Sequence, residues 1–315
     1  LEGLNDPYSV YYTAEEYRKM MEQTSGTYSG IGALVSQNAE TGIITVVKAF
    51  ADAPAAKAGV KNGDIIYKVK GKEVTGVDIN NVVTEMKGEK GTTVDITVYR
   101  ESEKKYIDFT ITRDQVNEPT VEYKMLDKKK KIGYIQISQF EEVTYDQFTK
   151  ALDDLKKQGM KAVIFDVRSN PGGLYETVCK MLDEILPEGN LVSTKDKYGN
   201  EEKQTSDSKC LDMPMVVLQN KDSASASEIF AGAIQDFNAG KIVGTQSFGK
   251  GIVQTILPLS DGSAVKLTVQ DYYTPSGKNI HGKGITPDVE VELEENATSD
   301  TQLEKAKETI MELMK

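Results

Sequence analysis

Hydrophobic and polar positions follow different patterns in different parts of the chain, and each pattern predicts a different kind of structure. Between residues 30 and 113, short β-rich runs are bounded by Gly, Asn or Asp, which is typical of small β-sheets. One later segment, residues 78–86, instead places apolar side chains on one face of a helix. We therefore expect a β-rich recognition module with strands at residues 34–35, 43–47, 65–69 and 94–98 and helices at 54–58 and 78–86.

From residue 118 onward, strand patterns alternate with helical patterns. The run at residues 162–167 is nearly continuously apolar, as expected of a strand buried on both faces of a sheet. Further strands are expected at residues 131–137, 214–219 and 241–245, and helices at 145–158, 174–186 and 225–237. This alternation predicts an α/β core with a largely parallel sheet. A hairpin is expected around Asp261-Gly262, between residues 252–259 and 263–269.

Both ends of the chain carry helical patterns. A short helix is expected at residues 14–21 after Thr13, and residues 300–315 repeat apolar side chains at helical spacing. We expect this second helix to dock on the body of the protein, with a contact between two copies as the alternative. Four regions follow: an N-terminal segment at 1–28, the β-rich module at 29–113, the α/β core at 114–291 and a C-terminal helix at 292–315.

Composition narrows the class of protein. The chain has 315 residues, 38% hydrophobic and 28% charged, as in ordinary soluble globular proteins of about two domains. The net charge of −11 argues against sequence-independent nucleic-acid binding, which needs Lys and Arg. No apolar run approaches the roughly 20 residues that span a bilayer. The chain begins at Leu1 without a signal-peptide pattern, so we expect any targeting segment to lie outside this sequence.

Cysteine and histidine are scarce. Cys179 and Cys210 are the only cysteines, and their spacing leaves open whether they pair or stay free. His281 is the only histidine, which excludes multi-histidine metal sites. We expect neither a metal nor a cofactor. Any Ser-His mechanism would have to use His281.

Three loops fall where ligands gather in an open parallel sheet, beyond the carboxyl ends of its strands. The first, residues 166–173, contains Gly172 and Gly173 after a buried strand. Paired glycines leave backbone N–H groups accessible, as an oxyanion hole requires. The alternative is a Pro-Gly-Gly turn with no further role.

The second loop, residues 223–228, leads into a helix. Ser225 would lie at the helix N-terminus, where the dipole and free N–H groups favour developing negative charge. The alternative is a capping box formed by Ser225 and Glu228. The G-x-S-x-G motif is absent, so we do not expect the usual nucleophile elbow.

The third loop, residues 246–251, contains Lys250 between two glycines. Gln254 follows four residues later, on the same side if both lie on a strand. A lysine here is ordinarily solvated, and its pKa of about 10.4 keeps it charged at neutral pH. Burial in an apolar pocket would lower that pKa enough for the amine to act as a base.

Several motifs in a fixed order link these loops to a known family. They are DPYS at residues 6–9, APAAKAGVKNGDIIYKVKGKEV at 53–74, DVRSNPGG at 166–173, DSASASEIFAGAIQDF at 222–237, VGTQSFGKGIVQ at 243–254 and YYTPSGKNIHGKGITPDVEV at 272–291. Together they resemble the carboxyl-terminal processing (tail-specific) proteases, which are Ser-Lys serine endopeptidases. The motif at 53–74 resembles a PDZ domain.

The resemblance assigns a role to each candidate residue of the core. It implies that Ser225 is the nucleophile, Lys250 the general base and Gln254 the residue that orients the lysine. The backbone N–H of Ala226, with that of Gly172 or Gly173, would form the oxyanion hole. An acyl-enzyme forms on the serine and is then hydrolysed by water.

For the PDZ-like module, the resemblance implies peptide binding and a location. Gly30, Ile31, Gly32 and Ala33 would capture a terminal carboxylate, with the helix at 78–86 as the other wall of the groove. Substrates would be proteins or peptides with nonpolar C-termini, and the module would gate activity. The location would be extracytoplasmic. A homodimer is the alternative already given for the helix at residues 300–315. Two alternatives stay open: a Ser-His hydrolase using His281, and a non-enzymatic binding protein.

Overall fold

The computed structural model describes residues 2–293 and 299–315. The chain divides into two compact units: Leu1–Ser25 together with Thr120–Lys315, and Gly26–Pro119. The larger unit begins with a 3-10 turn, a short strand and a helix: Glu2–Leu4, β1 (Val10–Tyr12) and α1 (Ala14–Ser25).

The smaller unit is built mainly from strands, as its sequence pattern predicts. Its elements are β2 (Thr27–Gly30), β3 (Ala33–Gln37), β4 (Ile44–Ala49), α2 (Pro54–Ala58), β5 (Ile65–Val69), β6 (Lys72–Glu73), α3 (Ile79–Met86), β7 (Thr93–Arg100), β8 (Lys105–Thr112) and β9 (Asp114–Asn117).

One antiparallel sheet in the order β3-β4-β5-β7-β8 forms the body of this unit, and β6 pairs with β5. Its core includes Ile44, Ile66 and Val98, and α3 packs Val82 and Met86 against it. β2, the first strand of the unit, pairs with β9, its last strand. Because of this pairing, the compact unit extends a few residues beyond the range 29–113 expected from sequence.

The remainder of the larger unit follows residue 120. Its elements are β10 (Val121–Asp127), β11 (Ile132–Ile137), α4 (Thr144–Lys157), β12 (Ala162–Asp166), α5 (Tyr175–Asp183), β13 (Gly189–Asp196), β14 (Glu201–Ser206), β15 (Met215–Gln219), α6 (Ala226–Asp236), β16 (Gly240–Gly244), β17 (Ile252–Pro258), β18 (Ala264–Tyr273), β19 (Val289–Glu290) and α7 (Thr301–Leu313).

A six-stranded sheet in the order β10-β11-β12-β15-β16-β19 forms the centre of this unit. All of its pairings are parallel except β10 with β11. Alternate side chains face opposite sides of a strand, so Phe165 packs toward α4 and α6 while Ile164 packs toward α7. The predicted α/β core with a largely parallel sheet is confirmed.

A second, antiparallel sheet joins the start of the chain to strands between residues 189 and 273. It has the order β1-β18-β13-β14, and β17 pairs with β18 in the predicted hairpin. β1 therefore attaches residues 10–12, from the expected N-terminal segment, to the larger unit. Both thiols are free, with Cys179 buried and Cys210 exposed. Within the described ranges, no helix is both long and apolar enough to cross a membrane.

The C-terminal helix α7 docks on the central sheet, as predicted. Ala306 and Ile310 are fully buried against strand residues of the sheet. Arg168, in the loop after β12, donates to Asp166 (2.7 Å) and to the α7 N-cap residue Asp300 (2.8 Å). The expected region 292–315 includes residues 294–298, which lie outside the described residues.

We expect Ile310→Ala to lower the free energy of unfolding of the larger unit by about 2–4 kcal/mol, because it leaves a cavity under α7. Leu313→Ala is the control on the same helix: its side chain is 40% exposed, and the loss should stay below about 1 kcal/mol. Urea denaturation measures both. Equal effects would mean that α7 is not held by its buried face.

Candidate active site

The three loops selected from the sequence meet at one end of the central sheet. They follow β12, β15 and β16, whose parallel arrangement brings their carboxyl ends to the same edge. A cavity of about 920 Å³ lies there, lined by Gly173, Ser225, Ala226, Lys250 and Gln254 among others. The sequence-predicted catalytic residues are therefore neighbours in the fold.

Ser225 lies at a sharp turn between β15 and α6. Its backbone has φ 56° and ψ −115°, a conformation that an L-residue adopts only under strain of about 1–3 kcal/mol. Such a strained strand-to-helix turn exposes a serine hydroxyl above a sheet. Because the G-x-S-x-G motif is missing, we expected no such elbow. That expectation is wrong, because the turn forms without the flanking glycines.

The two neighbouring serines have different roles from Ser225. Ser223 donates to Val167 O (2.8 Å) and Ser227 donates to Asn170 O (2.9 Å), and both side chains are buried. They fasten the strained turn to the loop after β12. Ser225 is only half-buried and lines the cavity, so it is the serine of the three that can meet a ligand.

Glu228 connects the loop that carries Ser225 to the loop that carries Lys250. Its carboxylate is fully buried, and Oε2 accepts from the backbone N–H of Ser225 and of Lys250, each at 2.8 Å. Oε1 accepts from Gly249 N (2.6 Å) and Ser247 Oγ (2.5 Å). The sequence suggested Glu228 only as a helix-capping residue, and the cap to Ser225 N is present. Its contacts to residues 247–250 have no signal in the sequence.

Lys250 is half-buried. Its Nζ donates to Gln254 Oε1 (3.1 Å) and lies 5.1 Å from the centre of the Tyr8 ring. Burial lowers the pKa of Lys250 below its ordinary value, the Lys266 ammonium lowers that pKa further, and the Asp6 and Glu228 carboxylates oppose the change. The direction of this shift favours the uncharged amine, which is the form that accepts a proton.

Lys250 and Gln254 do not lie on the same strand, whereas the sequence argument assumed that they do. β17 begins only at Ile252, and its register with β18 shifts between Val253 and Gln254. The argument that both residues share one face of a strand is therefore wrong, since Lys250 precedes the strand. The two side chains nevertheless meet, as the hydrogen bond from Lys250 Nζ to Gln254 Oε1 shows.

The two candidate oxyanion glycines are not equivalent. Gly172 N donates to Asn170 Oδ1 (2.8 Å), and a Cβ on Gly172 would lie 2.8 Å from Ser225 Cβ. Gly173 is exposed and lines the cavity with Ala226. In the described part of the chain, the backbone N–H groups of Gly173 and Ala226 have no acceptor. Gly172 thus packs against Ser225, and Gly173 presents a free donor.

His281 does not line the cavity that contains Ser225. Its ring packs against Tyr8, with 6.3 Å between ring centres, and its backbone N–H donates to Asn279. A Ser-His pair would require the imidazole to reach the serine hydroxyl. This placement argues against the Ser-His alternative.

The smaller unit contains a separate groove of about 250 Å³ between β3 and α3. Three of the four predicted peptide-binding residues, Ile31, Gly32 and Ala33, line it, and Ile79 and Val83 form the opposite wall. β3 is an edge strand, and an edge presents unpaired backbone groups to an added strand. This is the arrangement that binds extended peptides.

Gly30 takes a different place from its three neighbours. It does not line the groove, and a Cβ built on it would lie 3.0 Å from the ring of Tyr28 and 3.6 Å from the Lys87 side chain. That Gly30 contacts the peptide directly stays a prediction, whereas its three neighbours line the groove.

Comparisons with known proteins agree with both units. Residues 131–291 match the model of peptidase family S41, and residues 29–111 match the PDZ domain model. A carboxy-terminal-processing protease of Bartonella bacilliformis is 41% identical over 295 residues, covering 91% of this chain and 67% of the relative. A probable CtpA-like serine protease of Staphylococcus epidermidis is 40% identical, covering 91% of this chain and 58% of that protein.

Solved structures give the same fold. The photosystem II D1 C-terminal processing protease matches with a TM-score of 0.57 and 29% identity, over 98% of this chain and 83% of that one. A putative S41 protease from Bacteroides fragilis matches with a TM-score of 0.62 over 99% and 88%. Its identity of 16% supports the fold alone.

The α/β unit with its serine-bearing cavity and the β-rich unit with its groove define a serine-type peptidase that carries a PDZ domain. The chain belongs to peptidase family S41. It spans 58–67% of the length of the curated relatives described above.

We expect Glu228→Gln to destabilise the larger unit by about 2–3 kcal/mol, because an amide offers one acceptor oxygen where the carboxylate offers two to buried donors. The matched control is Glu176→Gln, at an exposed position on the cavity wall, with an expected change below about 0.5 kcal/mol. Thermal unfolding compares the two. An unaltered melting temperature for Glu228→Gln would contradict the linking role of the carboxylate.

Proposed function

We propose that the protein is a serine endopeptidase that cuts proteins or peptides near their C-termini through a Ser-Lys acyl-enzyme mechanism. One observation carries this proposal. Ser225 and Lys250 line one cavity and are tied by their backbones to the same oxygen of Glu228, while the lysine amine is half-buried. The names of the relatives, which are C-terminal processing proteases, support the substrate class.

The first step is proton transfer from Ser225 to uncharged Lys250. A neutral amine has two N–H donors and one lone pair, and donation to Gln254 Oε1 uses one donor. The lone pair stays available for the proton of the serine hydroxyl. The serine oxygen then attacks the carbonyl carbon of the scissile peptide bond, and a tetrahedral oxyanion forms.

We assign the oxyanion hole to the backbone N–H groups of Gly173 and Ala226. Gly172 is excluded from this role because its own N–H donates to Asn170. Ala226 is the first residue of α6, where the helix dipole also favours negative charge. Lys250 returns the proton to the leaving amine, and water hydrolyses the acyl-enzyme with the same base.

The groove of the PDZ domain is proposed to bind the substrate tail. The tail would add as a strand to β3, and its carboxylate would accept hydrogen bonds from backbone N–H groups of residues 31–33. Its last side chains would contact Ile79 and Val83. These two apolar residues account for a preference for nonpolar tails. We propose further that tail binding gates cleavage. The extracytoplasmic location stays a prediction of the family resemblance, and the homodimer stays the alternative suggested by the helical pattern at residues 300–315.

Ser225→Ala and Lys250→Ala should each lower kcat/KM for a tailed peptide by about 10²-fold or more without unfolding the protein. Wild-type activity should rise with pH, because only the uncharged amine is a base. The midpoint should lie below that of an ordinary lysine, since burial lowers the pKa of Lys250. Lys221→Ala, at an exposed lysine four residues before Ser225, is the control. Full activity in Lys250→Ala would end the Ser-Lys proposal.

Val83→Asp should weaken binding of a free-tailed peptide to the whole chain by about tenfold or more, or ~1.4 kcal/mol, because it places a carboxylate opposite the tail. Thr84→Asp, exposed on the same helix, is the matched control and should bind as wild type. Fluorescence anisotropy with free and amidated peptides measures this. Equal binding of both peptides to wild type would contradict carboxylate capture.

A further inference from the structure

A turn at the start of the chain, residues 6–9, lies directly on the proposed base. Tyr8 O accepts a hydrogen bond from Gln254 Nε2 at 2.6 Å, and the Tyr8 ring lies over Lys250 Nζ. The bonded residues are 246 positions apart in the sequence. We infer that Tyr8 is a positioning residue for the general base: its carbonyl orients Gln254, and its ring shields the Lys250 amine from water. This inference rests on the proposed Ser-Lys mechanism.

The turn is fixed by its own hydrogen bonds and by β1. Asp6 accepts from Tyr8 N (3.1 Å) and from Ser9 Oγ (2.5 Å), and Ser9 Oγ accepts from Thr268 N (3.5 Å). The strand that follows pairs with β18 from Val10 onward. The Tyr8 carbonyl is therefore held in place from both sides.

The carbonyl of Tyr8 decides which end of the Gln254 amide faces the lysine. Because Nε2 donates to Tyr8 O, Oε1 is directed at Lys250 Nζ. In the opposite orientation, the amide NH₂ would face the amine and would donate to its lone pair. That contact would occupy the atom that must accept the serine proton. The Tyr8 carbonyl thus keeps the base available.

The ring of Tyr8 has two opposing effects on Lys250. A ring face attracts an ammonium group, whereas exclusion of water disfavours the ammonium. The charged groups that face the amine are Lys266 on β18, Asp6 in the turn and Glu228 on α6. Burial is the largest cause of the lowered pKa of Lys250, Lys266 adds to it, and the two carboxylates oppose it. Beyond the ring lies His281. We therefore expect loss of the ring to hydrate the amine and to raise its pKa.

The rate at which a fluorophosphonate labels Ser225, measured against pH, tests the ring without any peptide substrate. Tyr8→Phe keeps the ring and should follow the wild-type profile. Tyr8→Ala should move the midpoint upward by about one pH unit, which lowers labelling at neutral pH about tenfold. Tyr8→Leu should move it in the same direction by less. A downward or absent shift in both Ala and Leu variants overturns the shielding role.

The plateau of the same profile at high pH tests the carbonyl. Asp6→Ala removes the acceptor that fixes the Tyr8 backbone, so the plateau should fall severalfold, while loss of the carboxylate charge should not raise the midpoint. An unchanged plateau overturns the orienting role. Lys250→Ala distinguishes failure of the Ser-Lys mechanism from failure of the Tyr8 proposal. If Ser225 in this variant is labelled as fast as in wild type, the proposed mechanism fails, whatever the Tyr8 variants show.

Discussion

In the proposed mechanism, Lys250 can serve as a base only while its amine is uncharged. A carboxylate that formed an ion pair with the amine would favour the charged form, so the site must hold the lysine without such a partner. Glu228 meets this constraint because its two oxygens accept four hydrogen bonds from Ser225, Ser247, Gly249 and Lys250, none of them from the lysine amine. In residues 2–293 and 299–315, Lys250 Nζ has no ion-pair partner; it donates to the neutral Gln254 amide instead. A buried acid thus fixes both loops and leaves the amine free to lose its proton.

The rest of the larger unit supports this arrangement from distant parts of the chain. The parallel sheet brings the three loops to one edge, and Asn170 holds two of them by accepting from Gly172 N and Ala224 N and from the Ser227 hydroxyl. These bonds stabilise the strained backbone of Ser225, as strained functional residues require. The turn at residues 6–9 then covers the amine with the Tyr8 ring. The site therefore depends on both its local loops and the N-terminal segment.

The sequence predicted the parts of the fold that local patterns encode: the buried strand β12, the helices on both faces of the central sheet and the groove helix α3. It did not predict β14, because five of its six residues are polar and exposed. The proposed catalytic residues could be chosen through the family motifs. The contact of Tyr8 with Gln254 could not be predicted, since it joins residues 246 positions apart through tertiary packing. The bond from Gly172 N to Asn170 Oδ1 is local, between residues two positions apart, but the sequence alone left both glycines open as oxyanion donors.

The state of the Lys250 amine is the quantity on which the proposed mechanism depends most directly. Reductive ¹³C-methylation keeps lysine amines titratable, and NMR then follows each one against pH, with Lys250 identified by the resonance missing from Lys250→Arg. We predict that this resonance titrates at a lower pH than those of the exposed lysines, because the amine is shielded from water. Titration together with the exposed lysines would contradict the mechanism.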